Sequence, residues 1–343
     1  MKQLKIIVAL VAGLFAFTSV QAGEMTVTGG MHATYQSEKD DVTGNPLGMN
    51  TDLKFAGSQD TDFGAVTWTM ATDGVFVGES GADHTLKLAS DFGTFKIGNA
   101  GDSANAIDDI TPTAFEEANG SGSGTYVDYG AGMEGSMSVG YNLANVLGTG
   151  LALDATYYPK LDGQLNNEKA ASGGSATHKA QAKSATSINL KADMGNMPVI
   201  GGGLEGLALT VGAYESDATL AGAENKGGVT AAINYAAGPI KFGVQKSSQE
   251  VGQTTLNGQE FYKDTIVGVA YAINDSLAIS YNTYTSSKHN LDGKNDEQET
   301  KAINIAYTIG GLTIGFQDAG TDNAGYVDQV TDDTQTISIK TAF

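Results

Sequence analysis

The sequence predicts an all-β fold, a transmembrane antiparallel β-barrel of 16 strands, and three observations lead to this prediction. Segments of about eight to ten residues alternate in polarity between turn residues, which is typical of strands with two different faces. The connectors between these segments alternate between long and short, as in outer-membrane barrels with large outer loops and tight periplasmic turns. Beyond residue 22, no run approaches the roughly 18 apolar residues that a transmembrane helix needs.

The first 22 residues have the features of a secretory signal peptide. Lys2 and Lys5 provide a positive start, an apolar stretch follows over 6–20, and "VQA" offers small residues for cleavage after Ala22. A membrane anchor is the alternative, but the apolar run is short for one. We therefore expect a signal peptide over 1–22 and a single barrel domain over 23–343.

The composition argues against several classes of function. The chain has no Cys, so disulfide and thiol chemistry are excluded. Its 39 acidic residues face 19 basic ones, all Lys, and this net charge of −20 argues against a nucleic-acid partner. The four His show no metal-ligand spacing, and there is no G-x-S-x-G motif. We expect no enzyme activity and no cofactor, although the acidic outer loops could bind Ca²⁺ weakly.

Each predicted strand has one apolar and one small or polar face. In "KAINIAYTI", Ile303, Ile305 and Tyr307 share the first face, while Ala302 and Asn304 share the second. Counting connectors back from the last residue gives strands at 24–36, 49–58, 63–72, 82–90, 93–99, 125–144, 150–158, 186–193, 207–214, 228–236, 239–246, 264–273, 276–284, 300–309, 311–317 and 334–343.

Two features of this count concern the barrel as a whole. An even number of strands puts both chain ends on the periplasmic side. The segment 125–144 is either one long strand with a bulge or two strands, and splitting it would favour 18 strands instead.

Aromatic residues fit the edges of a membrane barrel. The last strand ends on Phe343, which we expect at the periplasmic interface after the strand has paired with the first. Tyrosines on the apolar faces are expected to form interfacial girdles, and they include Tyr35, Tyr141, Tyr157, Tyr271, Tyr281 and Tyr307.

The sequence resembles the general porins of Gram-negative bacteria. The resemblance rests on the signal peptide, the alternating loop lengths, the terminal Phe343 and the stretch "DFGTFKIGNAGDSANAIDDITPTAFEEANGSGSG". In that family an FG-containing strand precedes a long third loop that folds into the pore, which corresponds here to 100–124. The resemblance implies a trimeric, water-filled diffusion channel. The family's constriction usually includes arginines, so lysines would have to take that role here.

The predicted pore constriction combines an acidic loop and a basic wall. Leu53 and Phe55 have the lipid-facing phase, so Lys54 between them faces the lumen, and the same reasoning turns other wall lysines inward. Phe115 is expected to pack the loop against the wall. The candidate constriction residues are Asp102, Asp108, Asp109, Glu116 and Glu117 on the loop, with Lys54, Lys87, Lys96 and Lys340 on the wall.

The expected function is passive diffusion of ions and small hydrophilic solutes across a bacterial outer membrane, with a mild cation preference set by the acidic loop. The expected partners are outer-membrane lipid, lipopolysaccharide, these solutes and two further copies of the chain. One alternative is a plugged barrel that acts through its loops as an adhesin or structural protein, although the predicted inward faces are mostly small. A lipid-acting barrel enzyme would need an outward Ser beside a His, and only His84 has the outward phase.

Overall fold

Sixteen antiparallel strands form one closed barrel in the computed structural model. The structure describes residues 24–38, 45–72, 82–99, 103–121, 129–130, 133, 135–161, 184–197, 203–217, 225–250, 259–290 and 295–342. Each strand pairs with its neighbour in sequence, and β1 closes the sheet against β16 through a register that matches Gly30 with Ala342 and Glu38 with Thr334. The fold prediction of 16 strands is confirmed, and the alternative of 18 is wrong.

The strands in chain order are β1 Glu24–Glu38, β2 Leu47–Thr61, β3 Gly64–Thr72, β4 Ala82–Ser90, β5 Gly93–Gly98, β6 Ser138–Leu143, β7 Leu151–Tyr158, β8 Ala185–Asp193, β9 Leu207–Ser216, β10 Lys226–Ala237, β11 Ile240–Glu250, β12 Gln259–Ala272, β13 Leu277–Asn290, β14 Asn295–Ile309, β15 Leu312–Asp322 and β16 Thr331–Ala342. Short 3₁₀ segments occur in the connectors, and no helix in the described part of the chain is long and apolar enough to cross a membrane.

One predicted strand, 125–144, begins much too early. Strand β6 covers only Ser138–Leu143, and the described residues between 129 and 137 lie outside the sheet. Gly130 and Gly135 have φ of 81° and 76°, values that an extended strand cannot adopt. Tyr129 and Met133 are buried instead. The described residues between 129 and 137 therefore belong to the loop that precedes β6.

Several strands extend further outward than their apolar residues suggest. Strands β12, β13 and β14 have 14, 14 and 15 residues, whereas β5 and β6 have 6 each. The outer ends are polar, but they still pair in register, for example Thr283 with Lys301 and Ser287 with Glu297. Because apolar periodicity stops where the lipid stops, it predicted the membrane-embedded part of these strands and missed their outer ends.

The apolar face of the sheet is turned outward. Ile303, Ile305, Tyr307 and Ile309 on β14 are all exposed, while the intervening Ala302 and Asn304 are buried. Five of the six predicted girdle tyrosines are likewise exposed on this face: Tyr35, Tyr157, Tyr271, Tyr281 and Tyr307. Such a surface is stable in lipid, because the apolar side chains there are not exposed to water and the closed sheet pairs the backbone N–H and C=O groups. The signal peptide 1–22 and the terminal Phe343 lie outside the described residues.

We predict that Ile305→Lys destabilises the barrel by about 2–4 kcal/mol, because it places a charge on the lipid-facing side near the middle of the apolar part of β14, 300–309. The measurement is urea-induced unfolding in lipid vesicles. Thr308→Lys is the control, since Thr308 on the same strand is exposed, has the opposite phase and shares a hydroxyl contact of 3.0 Å with Thr313. Equal losses in both variants would contradict the assignment of the two faces.

Candidate functional site

The connector between β5 and β6, the third of the long loops, lies against one face of the sheet and so identifies the lumen. Its backbone at Ser103 donates to Thr156 Oγ1 on β7 at 3.2 Å and accepts from Asn189 Nδ2 on β8 at 2.7 Å. The hydroxyls of Ser103 and Ser187 are also hydrogen-bonded. Thr156, Ser187 and Asn189 have the phase opposite to the exposed apolar residues. The third loop therefore lies inside the barrel.

Gln245 on β11 is the most heavily used wall residue of this loop. Its Nε2 donates to the carbonyls of Ile107 and Asp108 at 2.8 and 2.7 Å, and its Oε1 accepts from the Ile110 N–H at 2.8 Å. A further bond at 3.0 Å joins Nε2 to Thr230 Oγ1. The side chain is fully buried. One amide thus satisfies three backbone groups of the loop that would otherwise be buried without partners.

Neighbouring strands continue the same pattern. Asn234 Nδ2 on β10 donates to the Ile110 carbonyl at 3.0 Å. On β13, Asn282 Nδ2 donates to the Pro112 carbonyl at 2.9 Å, and Ser280 Oγ accepts from the Ala114 N–H at 2.9 Å. These wall residues therefore bind the loop through its backbone.

The far end of the loop is bound to β14 and β15. Gln317 Nε2 on β15 donates to the Glu116 and Glu117 carbonyls at 3.3 and 2.9 Å, and the Glu116 N–H donates to Asn304 Oδ1 on β14 at 3.5 Å. The bonded partners of the loop thus run round the inner wall from β7 to β15. Each such bond contributes about 1 kcal/mol net, but leaving a buried partner unpaired costs more.

Two wall glycines provide room for the loop. A Cβ added at Gly268 would lie 2.5 Å from the Pro112 carbonyl oxygen, and one at Gly315 would lie 2.5 Å from the Phe115 ring. Since real Cβ atoms do not approach other atoms so closely, the loop backbone and ring could not sit where they do over an alanine. Phe115 packs against the wall, as the sequence predicted.

Bulky inward side chains also hold the loop, although the sequence predicted mostly small ones. Tyr158 and Tyr214 form a buried apolar cluster with Ile107 of the loop. Ile266 and Tyr284 form a second cluster with Ala118. These residues pack beneath the loop, on the same arc of wall that supplies its hydrogen bonds.

Four of the five predicted loop acids are described, and Asp102 lies outside the described residues. Asp108, Asp109, Glu116 and Glu117 are all partly buried, and Asp108 Oδ1 accepts from the Asp109 N–H at 2.9 Å. Burial and the neighbouring carboxylate of Glu117 raise the pKa of Glu116 above its ordinary value, and the charge of Lys340 partly opposes this rise. Glu116 therefore becomes protonated at a higher pH than an ordinary glutamate.

Three predicted wall lysines lie across the barrel from the bound loop. Lys54 on β2, Lys87 on β4 and Lys96 on β5 share the inward phase. Lys96 pairs with Lys87 and with Gly140, which in turn pairs with the loop-bonded Thr156. Lys87 also pairs with Thr67, whose partner Ser58 is four residues from Lys54 and so on the same face. The loop contacts centre on β11, and β3 stands eight strands away on a ring of 16. The lysine strands are therefore centred opposite the loop.

Two of these lysines are direct cross-strand neighbours. Lys87 and Lys96 are paired in the register of β4 and β5, an arrangement of like charges that costs stability and strengthens the local positive potential. The Lys96 side chain lies over Gly140, where an added Cβ would be 3.3 Å from its Cε atom. Lys340 stands apart on β16, paired with His32 and Thr313, and close enough to affect Glu116.

The arrangement can set an electric field across the lumen but offers no metal site in its described part. Negative side chains on one arc and lysines on the other act on any charged or dipolar solute between them. No group of three or more potential metal ligands is found among the described residues. The backbone-binding amides of the wall were missed by the sequence reasoning, although inward-phase Asn or Gln on nearly successive strands could have indicated them: Asn189, Asn234, Gln245, Asn282, Asn304 and Gln317.

Comparison with known proteins shows the fold. No protein-family model matches the sequence, and no curated protein matches it. An anion-selective porin from Comamonas acidovorans superimposes with a TM-score of 0.65 at 12% identity, covering 94% of this chain and 100% of that one. OmpF of Salmonella typhi, solved in complex with daunomycin, superimposes with a TM-score of 0.64 at 12% identity, covering 94% of this chain and 98% of that one. The trimer form of in-vitro folded OmpT, an outer membrane protein of Vibrio cholerae, superimposes with a TM-score of 0.62 at 12% identity, covering 94% of this chain and 100% of that one.

These structures share the closed barrel architecture with this chain. Together with the apolar outward face, this fold places the chain in an outer membrane, as the sequence predicted.

We predict that Gln245→Leu loosens the third loop, because the Ile110 N–H and two carbonyls lose their buried partner at a cost of about 1–3 kcal/mol. The measurement is cleavage of the folded barrel by a glutamate-specific protease, which should cut at Glu116 or Glu117 about tenfold faster or more, as the open population rises. Gln335→Leu, on the exposed outward side of β16, is the matched control. Unchanged cleavage in Gln245→Leu would show that the amide does not hold the loop.

Proposed function

We propose that this protein is a passive diffusion channel, a porin, for ions and small hydrophilic solutes across a bacterial outer membrane. The observation that carries the proposal is the third loop: apart from Asn99 at its start, which bonds to β4, the described hydrogen bonds from the loop to the wall run along the arc from β7 to β15. A loop bound along one side of the wall narrows a lumen, whereas a plug would have to contact the whole circumference. The fold shared with solved porins supports the same function.

We further propose that the narrowest passage lies between the loop acids and the wall lysines. Asp108, Asp109, Glu116 and Glu117 would form one side, and Lys54, Lys87 and Lys96 the other, with Lys340 beside Glu116. Asp102 belongs to the same proposal through its place in the loop sequence. A narrow lumen strengthens each charge interaction relative to bulk water. We propose a mild cation preference, since the chain as a whole is strongly acidic.

The proposed assembly is a homotrimer within lipid and lipopolysaccharide, as in the general porins. The support is the resemblance of the sequence to that family and the trimer form of the structurally similar Vibrio protein. We also propose that the acidic outer loops bind Ca²⁺ weakly. The support is the excess of carboxylates over lysines in the chain as a whole.

The experiment that tests the function is recording from the purified, folded protein in a planar lipid bilayer under a salt gradient. Discrete conductance steps would support the channel, and closures in threes would support the trimer. A protein with the β-sheet circular dichroism of a folded barrel and no conductance would contradict the channel and favour the plugged barrel.

The double variant Asp108→Asn with Asp109→Asn should lower the ratio of cation to anion permeability by about twofold, because two negative charges leave the proposed constriction. The reversal potential in a KCl gradient measures this ratio. A matched double variant at exposed turns, Asp62→Asn with Asp275→Asn, changes net charge equally but outside the third loop. If both double variants shift the reversal potential by the same amount, the loop aspartates have no special place in selectivity.

A further inference from the structure

The last long connector, residues 323–330 between β15 and β16, has an unusual backbone and is called here the eighth loop. Asn323, Tyr326 and Gln329 have φ of 54°, 62° and 64°, in the left-handed region that residues other than glycine seldom adopt. The loop closes on itself, since the Ala324 N–H donates to the Val330 carbonyl at 2.9 Å and the Gln329 N–H donates to Asn323 Oδ1 at 3.0 Å. Such a conformation persists only where contacts hold it.

Tyr326 supplies contacts of this kind. Its hydroxyl lies 2.8 Å from Ser286 Oγ on β13, and its ring centroid lies 5.6 Å from that of Tyr262 on β12. The Lys288 ammonium lies 5.5 Å from the centre of the same ring, within the range of a cation–π interaction. Beside it, the Gly325 N–H donates to Gln298 Oε1 on β14 at 3.0 Å.

All of these partners face the lumen. Ser286 is four residues beyond Asn282, which binds the third loop, and Tyr262 is four residues from Ile266, which packs under it. Gln298 has the phase of Asn304, another partner of the third loop. Residues an even number apart on a strand share a face, so the eighth loop is bound to the inner wall.

The attachment lies on the outer side of the third loop. Strand β13 rises from the short turn at 273–276 toward the outer loops, so Ser286 is further out than Asn282. Four residues span about 13 Å along a strand, which is about 10 Å of height in a tilted barrel. The eighth loop thus projects into the mouth above the third loop.

We propose that the eighth loop is a second constriction of the channel, folded into the outer mouth and pinned there by Tyr326. It would limit bulky hydrophilic solutes before they reach the third loop. The proposal rests on the proposed function, because only an open lumen can be narrowed. Two other apolar residues of the loop, Val327 and Val330, are 54% and 44% exposed, whereas Tyr326 is only partly exposed and contacts Ser286 and Tyr262 on the wall.

Two readouts on the full-length, folded protein test the proposal: single-channel conductance, and the size of polyethylene glycol that still enters from the outer side and reduces the current. Tyr326→Ala removes the ring and should raise conductance by about 1.5-fold and admit larger polymers. Tyr326→Phe keeps the ring beside Tyr262 but loses the bond to Ser286, and it should give a smaller rise. Val327→Ala is the control and should match the unaltered protein.

The outcomes separate this proposal from the function on which it rests. Absence of conductance steps in the unaltered protein would contradict the channel itself. The second constriction would be overturned, and the channel left in place, if the unaltered protein, Tyr326→Ala and Val327→Ala all gave conductance steps of the same size and admitted polyethylene glycol up to the same size. If Tyr326→Ala does not fold, Gln298→Ala, which removes the bond to Gly325, must give the wider channel, and an unchanged Gln298→Ala would overturn the proposal equally.

Discussion

The structure depends on one constraint: backbone polar groups in lipid must find their partners within the protein. A sheet meets this constraint only by closing, and the pairing of β1 with β16 removes the edges that an open sheet would leave. Closure then divides side chains strictly between lipid and lumen, because successive residues point to opposite faces. Ile303 and Asn304 stand next to each other in sequence, yet one is exposed outside and the other is fully buried inside.

The same constraint extends to the loop within the lumen. A segment folded against the wall buries its own N–H and C=O groups, which a finished sheet cannot pair because its backbone bonds are already used. The inward amides of Gln245, Asn282 and Gln317 supply these missing partners, since each carries both donors and an acceptor on a side chain long enough to reach. The glycines Gly268 and Gly315 let the loop approach closely enough for those bonds to form.

Much of the fold could be predicted because the lipid imposes a strict period. The period located the membrane-embedded strands and the inward lysines, but it carried no information beyond the lipid, so the polar outer ends of β12–β14 were missed. It also failed at the described residues between 129 and 137, where Tyr129 is apolar because it packs inside the lumen. The loop acids were found as charges in sequence, whereas Gln245 and Tyr326 act through contacts between segments more than 35 positions apart, which no local pattern encodes.

Holding the loop by its backbone separates its position from its charge. The amides of Gln245 and Gln317 bind backbone N–H and C=O groups of the loop, so exchanging Asp108 or Glu116 for a neutral residue leaves those bonds intact. A barrel built in this way can change the charge of its loop while keeping its shape.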